Sequence, residues 1–413
     1  MNLTDSKEEI SERLLAIESS RLLLEEDGIA SITFYRGDLG KATEYFRKRA
    51  KQVLAANPWL IGRLVRNKRV DKNVHLVYPQ DALSEELFES LFHPNPEELK
   101  IGSEMPYQEL YRESHTAVIK KGIKSINKPD VVSRITIVPD MDCKQDGFAL
   151  IFSISHIAAD GYTYYKIFNS LFTNNPVEVL QPKRYRQADE KIAEAVGKQE
   201  YDYLFSAPFI LNAITGGLFG KKAKCYAFYV EPDKVKEAKF KSSSQSNVGF
   251  VSTNDILTSN FIRTIKARLC MTAINLRNRV DSIGSHNAGN YEAALLFDDA
   301  TSETPEGIRR TLLNGVPFQP TTKRLPSFWE GLTCNIGLVT NWAGFTGNLE
   351  IEGCKQRLHM PLHATKLMPF DCAIIFAPTP GKLAVLFFAK KVDAETLVSG
   401  CELGDSVSTK IFQ

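Results

Sequence analysis

The chain predicts an α/β fold in two similar halves, with mixed sheets flanked by helices, and three observations lead there. At 413 residues it is too long for one ordinary core, so two domains of roughly 200 residues each are the natural division. Short apolar runs rich in strand formers alternate, in both halves, with segments whose apolar residues recur at helical spacing. Between the halves, Pro182 to Glu200 is charged and poor in apolar residues, which reads as a linker with some helix in it. The expected division is 1–182, a crossover at 183–204, and 205–413.

Taken in order, residues 8–24 place Ile10, Leu14, Leu15, Ile17 and Leu22 at helical spacing and predict an amphipathic helix. A strand is expected at Ser31 to Tyr35. A helix from Lys41 to Ala56 follows, stopped by Asn57-Pro58 because proline has no N–H to donate. Strands are expected at Gly62 to Arg66 and Val70 to Tyr78. Val131 to Val138 and Phe148 to Ser155 read as a hairpin around the polar Asp146-Gly147 stretch. Tyr162 to Leu171 resumes helical spacing.

The second half reads as a strand at Cys225 to Val230 and a helix from Thr253 to Leu269 headed by Ser252 and Asp255, which form a capping-box pattern. Strands are expected at Met271 to Leu276, Tyr291 to Phe297, Leu332 to Thr340, Asp371 to Ala377 and Leu383 to Ala389. The serine-rich tract Ser242-Ser243-Ser244-Gln245-Ser246 predicts a mobile loop.

The segment carrying chemistry is His156-Ile157-Ala158-Ala159-Asp160-Gly161, directly after the apolar run that ends at Ser155. Such a site can hold an imidazole rigidly at the mouth of a cavity, where a near-neutral pKa would let it take a proton from a substrate. The plainer reading is a hydrogen-bonded structural histidine. A metal site is not expected: Gly161 opposes a helix that would align His156 with Asp160, and no second His or Cys lies nearby.

This segment resembles the HxxxDG motif of the chloramphenicol acetyltransferase-like superfamily, which includes BAHD acyltransferases, alcohol acetyltransferases and peptide-synthetase condensation domains. Four further stretches resemble that superfamily in the right order. They are Leu54 to Leu64 (LAANPWLIGRL), Ser252 to Leu257 (STNDIL), Ile274 to Arg279 (INLRNR) followed by Gly289-Asn290, and Leu338 to Trp342 (LVTNW). The chain departs from the BAHD branch where a DFGWG segment should follow; Ala343-Gly344-Phe345-Thr346-Gly347-Asn348 stands there, and Met368-Pro369-Phe370-Asp371 comes too late to replace it.

The resemblance implies two similar domains with an active-site tunnel between them. It also implies transfer of an acyl group from a coenzyme A thioester to a hydroxyl or amine of a small molecule, in secondary metabolism. His156 would be the general base, with Asp160 turned away from the substrate to pair with Arg277, and Gly161 supporting the turn. Thr340 and Trp342 alternate on their expected strand and so share a face; the match implies that Thr340 stabilises the oxyanion and Trp342 lines the acceptor site. The plainer alternative is a core tryptophan beside a satisfied threonine.

Ser252 and Thr253, heading a helix, are candidates for the coenzyme A phosphates. Lys323 and Arg324 are weaker candidates, and Lys221, Lys222 and Lys224 read as a solvated face. Acyl-CoA is a co-substrate, and no cofactor is expected to be permanently bound. Two alternatives stand beside this reading. A free-standing condensation-type enzyme with a carrier-bound donor is disfavoured because Ser155 occupies the position of its usual second histidine. A non-catalytic binder of the same fold is disfavoured by the intact His156, Asp160 and Gly161.

Whole-chain properties bound the rest. The chain is 43% hydrophobic and 24% charged, as in globular proteins with a sizeable core, and its formal charge of +2 excludes a nucleic-acid binder driven by bulk charge. Seven cysteines without CxxC spacing suggest a reducing, cytoplasmic setting without disulfides. Asp5, Glu8 and Glu9 disfavour a signal peptide, and no Gly-x-Ser-x-Gly marks a hydrolase. A monomer is expected, with no transmembrane segment. The nearest apolar run, Ala207 to Phe219, is broken by Asn212 and Gly216-Gly217 and followed by Lys221-Lys222. It reads as a buried loop or short helix, or else as a membrane contact or the lip of an acyl-chain tunnel.

Overall fold

Two large sheets organise the chain in the computed structural model, which describes residues 9–80, 84–244, 248–318, 322, 324–364 and 368–412. The first sheet has five strands in the order Lys355–Pro361, Ile29–Arg36, Gly147–Ile154, Ser133–Pro139, Phe92–Pro94. Its central strand is buried along its whole length, which explains why Phe148 to Ile154 is nearly continuously apolar instead of alternating. Both neighbours run antiparallel to it, with Ile29 and Ser133 each opposite Ile154. The Leu39–Ala56 and Gly161–Ser170 helices add Phe46, Tyr164 and Phe168 to this core.

The second sheet has seven strands, in the order Glu292–Asp298, Leu269–Asn275, Ile336–Asn341, Asp371–Phe376, Ala384–Ala389, Lys224–Val230, Leu403–Ser406. Ile336–Asn341 is parallel to both of its neighbours, and the other pairings are antiparallel. The architecture is therefore α/β with mixed sheets flanked by helices. The sheets do not divide the chain cleanly at 183–204, because Lys355–Pro361 leaves the second half to pair with Ile29–Arg36 as the edge of the first sheet. The expected linker also contains the Ala188–Val196 and Lys198–Tyr203 helices, whose Ala188, Ile192 and Val196 enter the second core.

Several elements differ from expectation for local reasons. Residues 8–24 are not one helix. Glu9–Arg13 is a strand in register with His75–Pro79, and only Arg21–Leu24 is helical. Between them, the backbone bends to bury Leu14, Leu15 and Glu18. The strand expected from Val70 begins only at His75, because Asp71 accepts from the Asn73 N–H and from Arg13 and holds a turn there.

The Thr253 helix stops at Thr264, and Lys266 follows with φ 51°, a chain reversal that lets Leu269 begin a strand. Leu332 belongs to the short Phe328–Thr333 helix, capped reciprocally by Ser327 and Glu330; its strand starts at Ile336. The serine tract is not simply a loop either. The Pro232–Ser244 helix runs through Ser242 to Ser244, while Gln245 and Ser246 lie outside the described residues.

Among the described residues, no helix is long and apolar enough to cross a membrane, and no cluster of His, Cys, Asp and Glu could hold a metal ion.

Candidate active site

His156 is the second residue beyond the central strand of the first sheet, after Ser155. The Ser155 N–H still donates to the Val132 carbonyl at 2.7 Å, and then the chain turns, with the Ala158 N–H donating back to Ser155 at 2.9 Å. Asp160 ends the turn as the N-cap of the Gly161–Ser170 helix, its carboxylate accepting from the Thr163 N–H at 2.9 Å. Strand end and helix start thus hold His156 from both sides.

Asn290 determines the state of the ring. Its Nδ2 donates to the His156 carbonyl at 2.7 Å and to Glu18 Oε1 at 3.2 Å, so its Oδ1 is the atom facing His156 Nδ1, 3.2 Å away. An amide oxygen can only accept, so Nδ1 of the neutral ring carries the proton and Nε2 carries the free lone pair. The ring lies deep in the molecule yet remains partly accessible.

Two buried ion pairs clamp this turn to the loop preceding the Glu292–Asp298 strand. Arg277 Nη1 and Nη2 reach the Asp160 carboxylate at 2.6 and 3.2 Å, both side chains being fully buried. The Tyr291 N–H also donates to Asp160, at 3.0 Å. Arg277 continues to the Asn287 and Gly289 carbonyls and to Thr163 Oγ1, and lies against the rings of Tyr162 and Tyr291.

In the second pair Arg184 Nε donates to both Glu18 oxygens at 3.0 and 2.9 Å, and its remaining nitrogens bind the Pro182, Ala288 and Ala158 carbonyls. Glu18 in turn accepts from the Asn290 N–H at 2.8 Å. Gly289 has φ +131°, and a Cβ there would fall 2.6 Å from the Arg184 guanidinium carbon, so both conformation and space require glycine.

The electrostatics around His156 oppose each other. Burial disfavours a charged ring, but Glu292, Glu26 and Asp160 outweigh it and hold the pKa above the usual imidazole value. Glu292 stands two residues after Asn290, and its carboxylate makes no hydrogen bond among the described residues. Burial, helped by the charge of Asp160 and opposed by His156 and Arg277, pushes it up to about 7.

From the second sheet, Trp342 lies one residue beyond its strand and is held by its N–H on the Ile375 carbonyl at 2.8 Å. Its indole packs on Tyr164 and Tyr165 of the Gly161–Ser170 helix, so the structure brings it to the turn of His156. A Cβ on Gly161 would sit 3.7 Å from Trp342 Nε1, an ordinary contact. Thr340 is partly accessible, and its hydroxyl has no hydrogen bond among the described residues.

Ser252 is committed to its helix cap. It exchanges hydrogen bonds with Asp255, which Arg309 grips at 2.8 and 2.5 Å. Thr253 instead lines a cleft of 540 Å³ with Lys236, Lys239 and Lys382. Next to it, Asn254 Oδ1 accepts from Asn341 Nδ2 at 3.0 Å, which ties the cleft to the strand end leading to Trp342. Arg324 lies apart and pairs with Glu330, and Lys323 falls outside the described residues.

Glu18, Arg184 and Glu292 are site residues that sequence reasoning missed. Glu18 lay in a stretch that read as a helix, and Arg184 in one that read as a linker. Asn290 was visible in the Gly-Asn match, without a role.

The sequence matches no known protein family description, and no curated protein matches it. Solved structures do. TRI3, a trichothecene 15-O-acetyltransferase from Fusarium sporotrichioides, is 10% identical at a TM-score of 0.62, with 95% of each chain covered. Polyketide synthase associated protein 5 from Mycobacterium tuberculosis is 12% identical at a TM-score of 0.60, covering 95% of this chain and 97% of that one. F. sporotrichioides TRI101, complexed with coenzyme A and T-2, is 15% identical at a TM-score of 0.56, covering 91% and 94%. The first condensation domain of the CDA synthetase also matches, with a TM-score of 0.52. The fold is thus the chloramphenicol acetyltransferase-like one.

Proposed function

We propose that the protein transfers an acyl group from a coenzyme A thioester to a hydroxyl or amine of a small molecule, with His156 as general base. The observation that carries this reading is Asn290, whose amide oxygen holds Nδ1–H and so makes Nε2 the free nitrogen of the neutral ring, in a buried but accessible position. Nε2 takes the proton of the acceptor as its oxygen or nitrogen attacks the thioester carbonyl. The tetrahedral intermediate then collapses, the C–S bond breaks, and the imidazolium returns the proton to the departing sulfur.

A base so placed contributes roughly 10²- to 10⁴-fold. The raised pKa of His156 suits the second half of this cycle, because the protonated ring persists until the thiolate leaves.

The remaining roles follow from position. Thr340, with an uncommitted hydroxyl, donates to the oxyanion. Trp342 walls the acceptor side beside Gly161. Asp160 and Arg277 hold the turn and do not touch substrate. The cleft at Thr253 takes the coenzyme A phosphates on Lys236, Lys239 and Lys382, with Ser252 contributing only its cap. The TRI101 structures, obtained with coenzyme A and T-2 or deoxynivalenol, support a donor of this kind on this fold. The protein acts as a cytoplasmic monomer in this reading.

Calorimetric titration with acetyl-CoA, longer acyl-CoAs and free coenzyme A tests the donor without knowledge of the acceptor. Micromolar binding, weakened by Lys236→Ala, Lys239→Ala and Lys382→Ala, is the expected result. No binding of any thioester would overturn the coenzyme A-dependent reading and move the donor to a carrier protein. With binding in hand, a screen of alcohols and amines using His156→Ala as control tests the base.

A further inference from the structure

The helix Ala207–Phe219 has an inverted distribution of side chains. It contains no charged residue, and its polar Asn212 is turned inward, where it donates to the Gly331 and Cys334 carbonyls at 2.8 and 3.0 Å. Pro208 and Phe209 are buried with it, and Lys390 Nζ reaches over the Gly216 carbonyl at 2.5 Å. The opposite face presents Ile210, Leu211, Ile214 and Leu218 to solvent with Thr215 among them, Leu218 being 60% exposed, and Phe219 at the helix end is 83% exposed.

A neighbouring element carries further exposed apolar side chains. The Phe328–Thr333 helix packs directly on Pro208 through Gly331, where a Cβ would meet the proline at 3.0 Å. It adds Phe328, and Trp329 at 77% exposure. Isolated exposed apolar residues are common, but six or more large ones gathered on two helices that pack on each other mark a contact surface.

The flanking charge and the orientation identify what covers it. Lys221 and Lys222 follow Phe219 almost at once, are exposed, and make no ion pair among the described residues. Aliphatic and aromatic side chains on one face, with unpaired lysines at its end, are the chemistry of a helix lying in the headgroup region of an anionic bilayer.

The patch also sits at the right end of the molecule. Pro369 and Phe370, which the helix covers, precede the Asp371–Phe376 strand at its start, while the Thr253 cleft includes Leu383, at the far end of the adjoining strand. With six residues in that strand, the two are about 20 Å apart. Contact through the patch leaves the cleft open to water.

We infer that this face is a docking surface for anionic lipid, by which the protein binds a membrane peripherally. The chemistry of the patch does not depend on the acyl-transfer reading; only the advantage of leaving the Thr253 cleft open rests on it.

Cosedimentation of the full chain with phosphatidylcholine vesicles, with and without phosphatidylserine, tests it. Trp329 serves as an internal probe, because Trp59 and Trp342 are buried. Expected are pelleting with phosphatidylserine vesicles and a blue shift of tryptophan emission that Trp329→Phe removes. Binding should weaken roughly tenfold or more in Leu218→Glu/Phe219→Glu and in Lys221→Glu/Lys222→Glu, with unchanged thermal melting since all four side chains are exposed. Absence of binding to both vesicles, or binding by both variants as tight as that of the unaltered chain, would overturn it. So would a solution dimer dispersed by Leu218→Glu/Phe219→Glu, which would assign the face to a second copy.

Discussion

His156 stands in the turn that leads into the Gly161–Ser170 helix and His359 packs against that helix, and their surroundings treat them oppositely. His359 is fully buried on the edge strand of the first sheet, with Nδ1 2.8 Å from Thr33 Oγ1, Nε2 3.1 Å from the Tyr165 hydroxyl and its ring stacked on Phe168. Burial pulls its pKa down to about 3, leaving a neutral hydrogen-bonding residue with both nitrogens occupied. His156 has one nitrogen occupied and carboxylates within electrostatic reach, and its pKa is raised. Burial alone makes a structural histidine. His156, proposed as the base, combines burial with nearby negative charge and one nitrogen left free.

That contrast can be broken most sharply by removing each ring. His156→Ala is expected to lower turnover by roughly 10²- to 10⁴-fold while acyl-CoA binding, read by calorimetry, persists. His359→Ala should act on stability instead, lowering the urea midpoint with turnover per folded molecule retained. Equal loss of turnover in both would erase the distinction.

Next in size is the clamp. Arg277→Ala leaves Asp160 buried and uncompensated, and should cost about 3–5 kcal/mol in urea unfolding. Asn290→Leu probes the free nitrogen itself. It leaves His156 free to take either tautomer, and turnover should fall roughly 10- to 100-fold with little change in KM, as when the partner that orients a metal-bound imidazole is lost. An unchanged turnover would show that Asn290 does not select the tautomer.

The smaller effects are read in pH profiles. The base must be unprotonated, so kcat/KM rises with pH through the raised pKa of His156. Glu292→Gln removes a charge that holds that pKa up, and the acid limb should move to lower pH. For His359 the unfolded chain binds a proton below about 6.5 while the folded protein resists protonation down to about 3. Its contribution therefore lowers stability as pH falls across that window. His359→Gln should flatten this part of the stability profile, and an unchanged slope would assign the acid sensitivity to other groups.

Much of this site was legible because its signals are short-range. His156, Asp160 and Gly161 announce a strand-turn-helix within six residues, and Asp160 acts as the N-cap that such a turn needs. Arg277 and Asn290 were visible in resembling stretches, though nothing local said that the amide of Asn290 would orient the ring. Glu18 was hidden because Ile10, Leu14 and Ile17 imitate helical periodicity where the chain pairs as a strand and then bends. Arg184 was hidden because a charged stretch reads as solvated, whereas this guanidinium is buried against Glu18 and three carbonyls.

Sequence by itself determined the α/β class, most strand and helix positions, the turn that presents His156 and the cap at Ser252. Each is set by backbone preferences and side-chain hydrogen bonds among near neighbours. Only the tertiary structure decided that Lys355–Pro361 returns to the first sheet, that Glu18 meets Arg184 and Asn290, and that Ala207–Phe219 keeps its apolar face outside. Those outcomes depend on which surfaces remain to be covered once the sheets have formed, and partners more than a hundred residues apart leave no mark in local spacing.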